Sequence, residues 1–216
     1  MTVSYTSRVA VPAAPSALPL LLASASTTRR ALLLAAGVPL AGHSVMPMDE
    51  GALRDDLRAE GATTEQAADR LALAKAQIVS SRYPGTLVLG ADQILETADG
   101  AWLGKPADRA AAKTQLEALR GTTHRLVSAA VLVHDGEPVW RTVSDARLTM
   151  RPFTDDFLEA YLNATSKAVT QSVGGYQVEG MGLQLFSQLD GDYFTILGLP
   201  LMAVLEALRA RGVVLA

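Results

Sequence analysis

Four short segments of this chain carry residue types that suit the handling of phosphate groups. The first, Ser24-Ala25-Ser26-Thr27-Thr28-Arg29-Arg30, lies between an apolar run and a Leu-rich run. Hydroxyls and free backbone N–H groups at a helix start make an anion site, and arginines strengthen it. The same residues also read as a plain N-cap at Ser26 or Thr27 with two solvated arginines. The second, Gly90-Ala91-Asp92-Gln93, closes another apolar run. A carboxylate at the end of such a strand faces the crevice where open α/β sheets bind ligands, so Asp92 suits a metal or a water. A turn-forming aspartate is the plain alternative. The third, Leu103-Gly104-Lys105-Pro106, fixes a point charge on a loop. It is not a Walker A loop, because the upstream glycine spacing is absent and no Ser or Thr follows Lys105. The fourth is Ser172-Val173-Gly174-Gly175-Tyr176-Gln177-Val178-Glu179-Gly180, with Gly191-Asp192-Tyr193 and Leu197-Gly198-Leu199-Pro200 beyond it. Its glycines allow close backbone approach to a nucleotide and equally suit turns. Neither a dinucleotide fingerprint nor a zinc set is present. Asp190-Gly191-Asp192 mimics the metal motif of nucleotide-sugar transferases but reads as a turn.

These residues need elements to position them. Leu18 to Ala23 reads as a buried strand, and Ser26 to Ala36 as a helix stopped by Gly37 and Pro39. Gly51 to Gly61 is polar and reads as loop or frayed helix. Thr64 to Arg82 is the clearest helix, since Ala67, Leu71, Ala74 and Ile78 recur at helical spacing and Pro84-Gly85 ends it. Thr86 to Ala91 reads as a second buried strand, Asp99-Gly100 as a turn, and Asp108 to Leu119 as a helix. Leu126 to Val133 and Val139 to Leu148 flank His134-Asp135-Gly136-Glu137, a hairpin signal. Thr154 to Leu162 reads as a short helix, Val178 to Leu189 as a strand, and Leu201 to Arg211 as a closing helix. Alternating strands and helices followed by a long hairpin predict an α/β fold, a mixed sheet sandwiched by helices.

Composition narrows the function. The chain has 216 residues, 49% of them hydrophobic and 19% charged, enough for a packed core. A net charge of −3 gives no basis for binding long nucleic acid, though a small anionic substrate needs only a few local cations. No cysteine is present, which excludes disulfides, zinc-thiolate sites and cysteine nucleophiles. The three histidines, His43, His124 and His134, have no ligand spacing. Residues 1–17 read as a flexible tail and 18–216 as one domain with two lobes. A signal peptide is disfavoured, because Pro12, Pro15 and Pro19 interrupt a short apolar run. No apolar stretch approaches the ~20 residues of a membrane span.

Taken in order, the segments resemble the Maf family from about Leu20 to Leu208. The opening L-A-S-x-S and paired arginines are Leu22 to Arg30, and the acidic pair is Asp49-Glu50. The helix motif L-A-x-x-K-A is Leu71 to Ala76. Gly90-Ala91-Asp92, Gly104-Lys105-Pro106, the L-x-G-x-x-H of Leu119 to His124, and Gly198-Leu199-Pro200-Leu201 complete the set. Thr27 replaces the usual proline, and Thr28 stands where Arg or Trp is common. Gln93 and Glu179-Gly180 depart from the family's main branch and resemble its second branch, which is associated with 7-methyl-GTP rather than dTTP and UTP.

The resemblance implies an elongated mixed sheet with a substrate cleft, like the inosine triphosphatases. It also implies cytoplasmic cleavage of nucleoside triphosphates to monophosphate and pyrophosphate in house-cleaning of the nucleotide pool. Arg29, Lys75 and Lys105 match the family's phosphate-binding cations, with Ser24 and Ser26 as neutral donors. Glu50 and Asp92 would hold Mg²⁺ or Mn²⁺, and Asp92 matches the proton acceptor. Gln93 and Glu179 fall at substrate-binding positions, Glu179 near the metal or on the base edge. The expected partner is the triphosphate, with no long nucleic acid and no membrane; a homodimer is left open. A pyrimidine-preferring pyrophosphatase and a non-catalytic nucleotide-binding regulator of cell division are the competing readings.

Overall fold

A computed structural model of the protein describes residues 17–165 and 169–215. The expected tail over 1–17 therefore lies outside the described residues, Ala17 apart. The described elements run β1 (Leu20–Ala23), α1 (Thr27–Ala35), β2 (Leu40–His43), α2 (Glu50–Ala59), α3 (Thr64–Ser80), β3 (Leu87–Glu96), β4 (Trp102–Leu103) and α4 (Arg109–Leu119). β5 (Thr123–His134), β6 (Glu137–Met150), α5 (Asp155–Thr165), β7 (Phe186–Asp190), α6 (Tyr193–Ile196) and α7 (Leu201–Arg209) follow. The strands hydrogen-bond in the order β2-β1-β3-β5-β6-β7, with β4 beside β3. Parallel pairs β1–β2 and β1–β3 and antiparallel pairs β3–β4 and β6–β7 make the sheet mixed, as expected.

The chain divides into two compact units. The first comprises the chain up to Asp92, Ala129–Val143, and the chain from Gly198. In it β1 is buried along its whole length, because Leu20, Leu21, Leu22 and Ala23 face neighbours on both sides. A parallel strand buried on both faces reads as an unbroken apolar run rather than an alternation. The register with β3 sets Leu20 opposite Leu87 and Ala23 opposite Gly90. Parallel strands need a crossover, which α1 supplies between β1 and β2 and α2 and α3 supply before β3. Helix α3 carries a full capping box: Thr63 accepts from Gln66 N, and the Gln66 side chain accepts from Thr63 N. Asp135 and Gly136 take positive φ of 48° and 84° in the β5–β6 turn, as a two-residue hairpin demands.

The second unit comprises Gln93–Ser128 and Ser144–Leu197. Its core gathers Leu116 and Leu119 of α4, Leu148 of β6, and Leu158 and Tyr161 of α5. Tyr176 and Leu185 join them from the segment before β7.

Gly51 to Gly61, read as loop or frayed helix, is helical: Glu50–Ala59 is a helix N-capped by Asp49, whose Oδ1 accepts from Ala52 N at 2.9 Å. Two expectations need correction. Strand β3 does not end at Ala91 but continues to Glu96, because Ile94 and Leu95 are buried and β4 pairs with Leu95 and Glu96. Asp92 is thus a mid-strand residue. The strand expected over Val178 to Leu189 is confined to Phe186–Asp190, and Met181–Leu185 is a 3₁₀ turn. Gly182 packs on the backbone of Gln177, which no extended segment permits. Strand β2 and helix α6 were not expected; each has only four residues.

Candidate active site

The first unit brings six of the expected site residues together. Ser26 caps α1, its Oγ accepting from Arg29 N at 3.2 Å. Ser24 Oγ accepts from Ser26 N at 3.2 Å and from Arg29 Nη1 at 3.3 Å. Arg29 is itself buried and spends further donors on main-chain carbonyls: Nη1 on Ala91 O at 2.9 Å and Nε on Gly198 O at 2.7 Å. One side chain thereby ties the end of β1 to β3 and to the Gly198 turn. Burial pushes the guanidinium below its ordinary value, while the negative charges of Asp92 and Glu50 act in the opposite direction. The capping reading of Ser26 is what the geometry displays, while Arg30 is exposed.

Lys75 stands at the centre. Its Nζ donates to Asp92 Oδ1 at 2.6 Å and to Glu50 Oε2 at 2.7 Å. The lysine and Asp92 side chains are 15% and 5% exposed, while Glu50, at the first turn of α2, is 47% exposed. The second oxygen, Asp92 Oδ2, is buried with no hydrogen-bond partner among the described residues. A buried acceptor left unpaired costs about 1–3 kcal/mol, more if charged. Such a group in a site rather than a core points to a partner that arrives with the substrate. The donor set also fits the hard divalent cation that the sequence implied, because carboxylate oxygens suit Mg²⁺ and Mn²⁺.

The second unit carries the other three. Gln93 Nε2 lies 3.1 Å from each of Ser128 Oγ, Thr195 O and Ile196 O. Ser128 Oγ also donates to Thr195 O at 2.9 Å. Lys105 is exposed on the loop between β4 and α4, and Glu179 is exposed in the turn after Val178. Asp192, half of the D-x-D mimic, caps α6 by accepting from Thr195 N at 2.7 Å and from Thr195 Oγ1 at 2.9 Å. That is the turn role read from the triplet.

Sequence reasoning placed His124 in a motif but gave it no role. In the second unit it is 1% exposed, and its Nε2 lies 2.6 Å from Tyr176 Oη. Burial lowers its pKa from 6.5 to about 4, so the imidazole is neutral in the folded protein near pH 7. Between about pH 6.5 and 4 the unfolded chain binds a proton that the folded chain refuses, so stability falls as pH drops through that window. The full loss is about 3 kcal/mol, expressed once pH is below the lower limit. Thermal unfolding at pH 7.5, 5.5 and 4.5 should show this decline, and His124→Gln should flatten it. Parallel slopes for the two proteins would remove His124 as the cause.

The Maf-like protein family matches residues 19–211. A nucleoside triphosphate pyrophosphatase of Paramagnetospirillum magneticum is 49% identical over 89% of this chain and 98% of its own. A 7-methyl-GTP pyrophosphatase of Rhizobium etli is 47% identical over 90% of this chain and 97% of its own. A match of that extent, carrying the motifs that build the Lys75–Asp92 cluster, means that this chain belongs to the Maf-like family.

Proposed function

We propose that the protein hydrolyses a nucleoside triphosphate between its α and β phosphates, releasing the monophosphate and pyrophosphate, with a 7-methyl-GTP-type nucleotide as the preferred substrate. The observation that carries the reading is the Lys75 bridge between Glu50 and Asp92 with Asp92 Oδ2 left unpaired. Relatives named for this activity support it, two of them named for 7-methyl-GTP.

Water must attack the α-phosphorus. A new P–O bond forms there, the bridging P–O bond breaks, and pyrophosphate leaves with its electron pair. Asp92 Oδ2 is the atom to accept the proton of that water, because Lys75 already occupies Oδ1. Lys75 fixes the carboxylate plane and offers positive charge to an anionic transition state. Ser24, Ser26 and the start of α1 add neutral donors, and Arg29 adds charge close by. Mg²⁺ or Mn²⁺ held by Glu50 and Asp92 would neutralise phosphate charge. Among the described residues no three His, Asp or Glu groups gather as a metal cage. Two carboxylates with phosphate and water oxygens are the usual way such an ion is held beside a nucleotide.

The family resemblance matches Lys105 to a phosphate-binding cation and leaves Glu179 near the metal or on the base edge; of these our reading takes the base edge. A carboxylate accepts only, which suits the adjacent N1–H and N2–H donors of a guanine. Among the described residues no helix is long and apolar enough to cross a membrane. A cytoplasmic nucleotide pool is the compartment where this substrate would be met.

The decisive experiment is pyrophosphate release from a panel of canonical and modified triphosphates, with Mg²⁺, with Mn²⁺ and with EDTA. We expect pyrophosphate as the product, abolished by EDTA, with 7-methyl-GTP turned over better than dTTP or UTP. A site built on hydrogen bonds to the right base can separate substrates by up to ~10⁴-fold. Orthophosphate as the sole product would defeat the reaction, full turnover in EDTA the metal, and a preference for dTTP or UTP the base.

A further inference from the structure

Residues 172–182 form the segment that carries Glu179, and they are pinned within the second unit at several points. Ser172 Oγ donates to the carbonyl of Tyr176. Tyr161 Oη donates to Gly175 O at 3.2 Å. Gly174 adopts φ 73°, and a Cβ there would lie 2.6 Å from Leu95 Cδ1 and 2.7 Å from Tyr176 Cε1. The ring of Tyr176 meets Phe186 edge-on at 4.8 Å between centroids. Its hydroxyl meets His124 Nε2 at 2.6 Å. Val178 is a second anchor, 5% exposed, and Glu179 is the first residue beyond the anchors to be exposed.

An apolar pair would fill this core as well as His124 and Tyr176 do. Instead the chain keeps a buried imidazole whose Nδ1 has no partner among the described residues. A polar contact of that kind is costly in an apolar core. It singles out one arrangement of the segment, since any other would strand both groups.

We propose that His124 and Tyr176 are a positioning pair for substrate specificity: their contact holds residues 172–182 in the backbone shape that presents Glu179 to the base. Neither residue touches substrate in this account. The inference rests on the reading that Glu179 faces the base edge.

The test uses the full chain in four forms: wild type, Tyr176→Phe, His124→Gln, and Leu158→Ala as a core variant of the same unit with no part in the contact. Each is measured for KM and kcat on 7-methyl-GTP, GTP, dTTP and UTP, for thermal stability, and for amide hydrogen exchange. Tyr176→Phe should raise KM for the preferred triphosphate about 10-fold and shrink discrimination among bases by a similar factor, with kcat within about 3-fold. Amides of Gln177 to Gly180 should exchange about 10-fold faster while those of α4 do not change. His124→Gln, whose amide can still reach the hydroxyl, should recover part of the discrimination. Leu158→Ala should lose stability and leave KM and base ranking alone. A Tyr176→Phe protein that loses stability yet keeps its KM, ranking and segment exchange overturns the proposal, as does a Leu158→Ala protein with the same KM shift. Glu179→Gln separates the two levels. If Glu179→Gln leaves base ranking unchanged, the base-edge reading fails, and exchange in Tyr176→Phe then decides the positioning role alone. If the wild type releases no pyrophosphate, the proposed function fails, and the same exchange result decides whether the pair holds the segment.

Discussion

Asp92→Asn should lower pyrophosphate release by at least ~10²-fold, the usual cost of removing a positioned base, while the protein stays folded. The amide nearly matches the carboxylate in volume, and its oxygen can keep the hydrogen bond that Oδ1 accepts from Lys75 at 2.6 Å. The alternative orientation would set an NH₂ against an ammonium and is excluded by donor–donor repulsion. The NH₂ therefore takes the place of Oδ2, the buried atom with no partner. The site loses its buried uncommitted acceptor for a proton or a cation, and gains a donor where none is useful. Lys75 keeps Glu50 at 2.7 Å, so no buried ammonium is stranded. Circular dichroism and thermal unfolding should be close to wild type, and added Mn²⁺ should not restore turnover. A variant within a few-fold of wild type would remove Asp92 from the chemistry and leave its bridge to Lys75 as a structural ion pair.

What the chain revealed before folding, and what it hid, follows from how local each signal is. Helix α3 was legible because its period and stop are local: Ala67, Leu71 and Ala74 lie on one face, and Pro84-Gly85 follows its end. Helix α2 was legible only as one of two alternatives, loop or frayed helix, because Leu57 is its one buried residue and a helix so polar shows no apolar stripe. The extension of β3 to Glu96 rests on partner strands beyond its own residues, β5 in the sheet and the two-residue β4 at Leu95 and Glu96. The false strand over Val178 to Leu185 arose from counting apolar residues at alternate positions. Met181 and Leu183 are in fact exposed, and the segment turns back on Gln177. The candidate residues were legible as a family pattern, but not the contacts among them. Nothing in the spacing of Glu50, Lys75 and Asp92 says that one ammonium joins both carboxylates. Nor does any spacing say that Arg29 is spent on main-chain carbonyls of Ala91 and Gly198. The partner of His124 lies fifty-two positions away, at Tyr176, and only the fold brings them together.

The close approach of helix to strand that builds the site also makes Gly90 a sensitive structural position. Gly90→Ala should destabilise the protein by about 3 kcal/mol or more, at the upper end for overpacking a core. A Cβ on Gly90 would lie 2.2 Å from the carbonyl oxygen of Ala72, 2.8 Å from Ala76 Cβ and 3.1 Å from Ala76 N. The nearest of these is helix backbone, which cannot rotate aside as a side chain would. Helix α3 must therefore shift away from β3, or β3 must bend. Successive even positions of a strand share a face, so Gly90 and Asp92 point the same way, toward α3. The absence of a side chain at Gly90 admits the helix closely enough for Lys75 to reach Asp92 at 2.6 Å. Any Gly90→Ala protein that still folds should then lose turnover as well as stability, since a misplacement of about 1 Å in a catalytic group can cost ~10²-fold. Urea unfolding measures the first effect, and pyrophosphate release from the folded fraction measures the second. Gly42→Ala is the matched control in β2 of the same unit. Its Cβ would sit 3.4 Å from Leu21 Cδ2, an ordinary contact, so the change should cost well under 1 kcal/mol. Adding Ala76→Gly to Gly90→Ala removes the 2.8 Å contact but leaves the carbonyl of Ala72 in place. The double variant should stay severely destabilised. Recovery to near wild type would mean that the side-chain contact, not the approach of helix backbone to strand, sets the distance between Lys75 and Asp92.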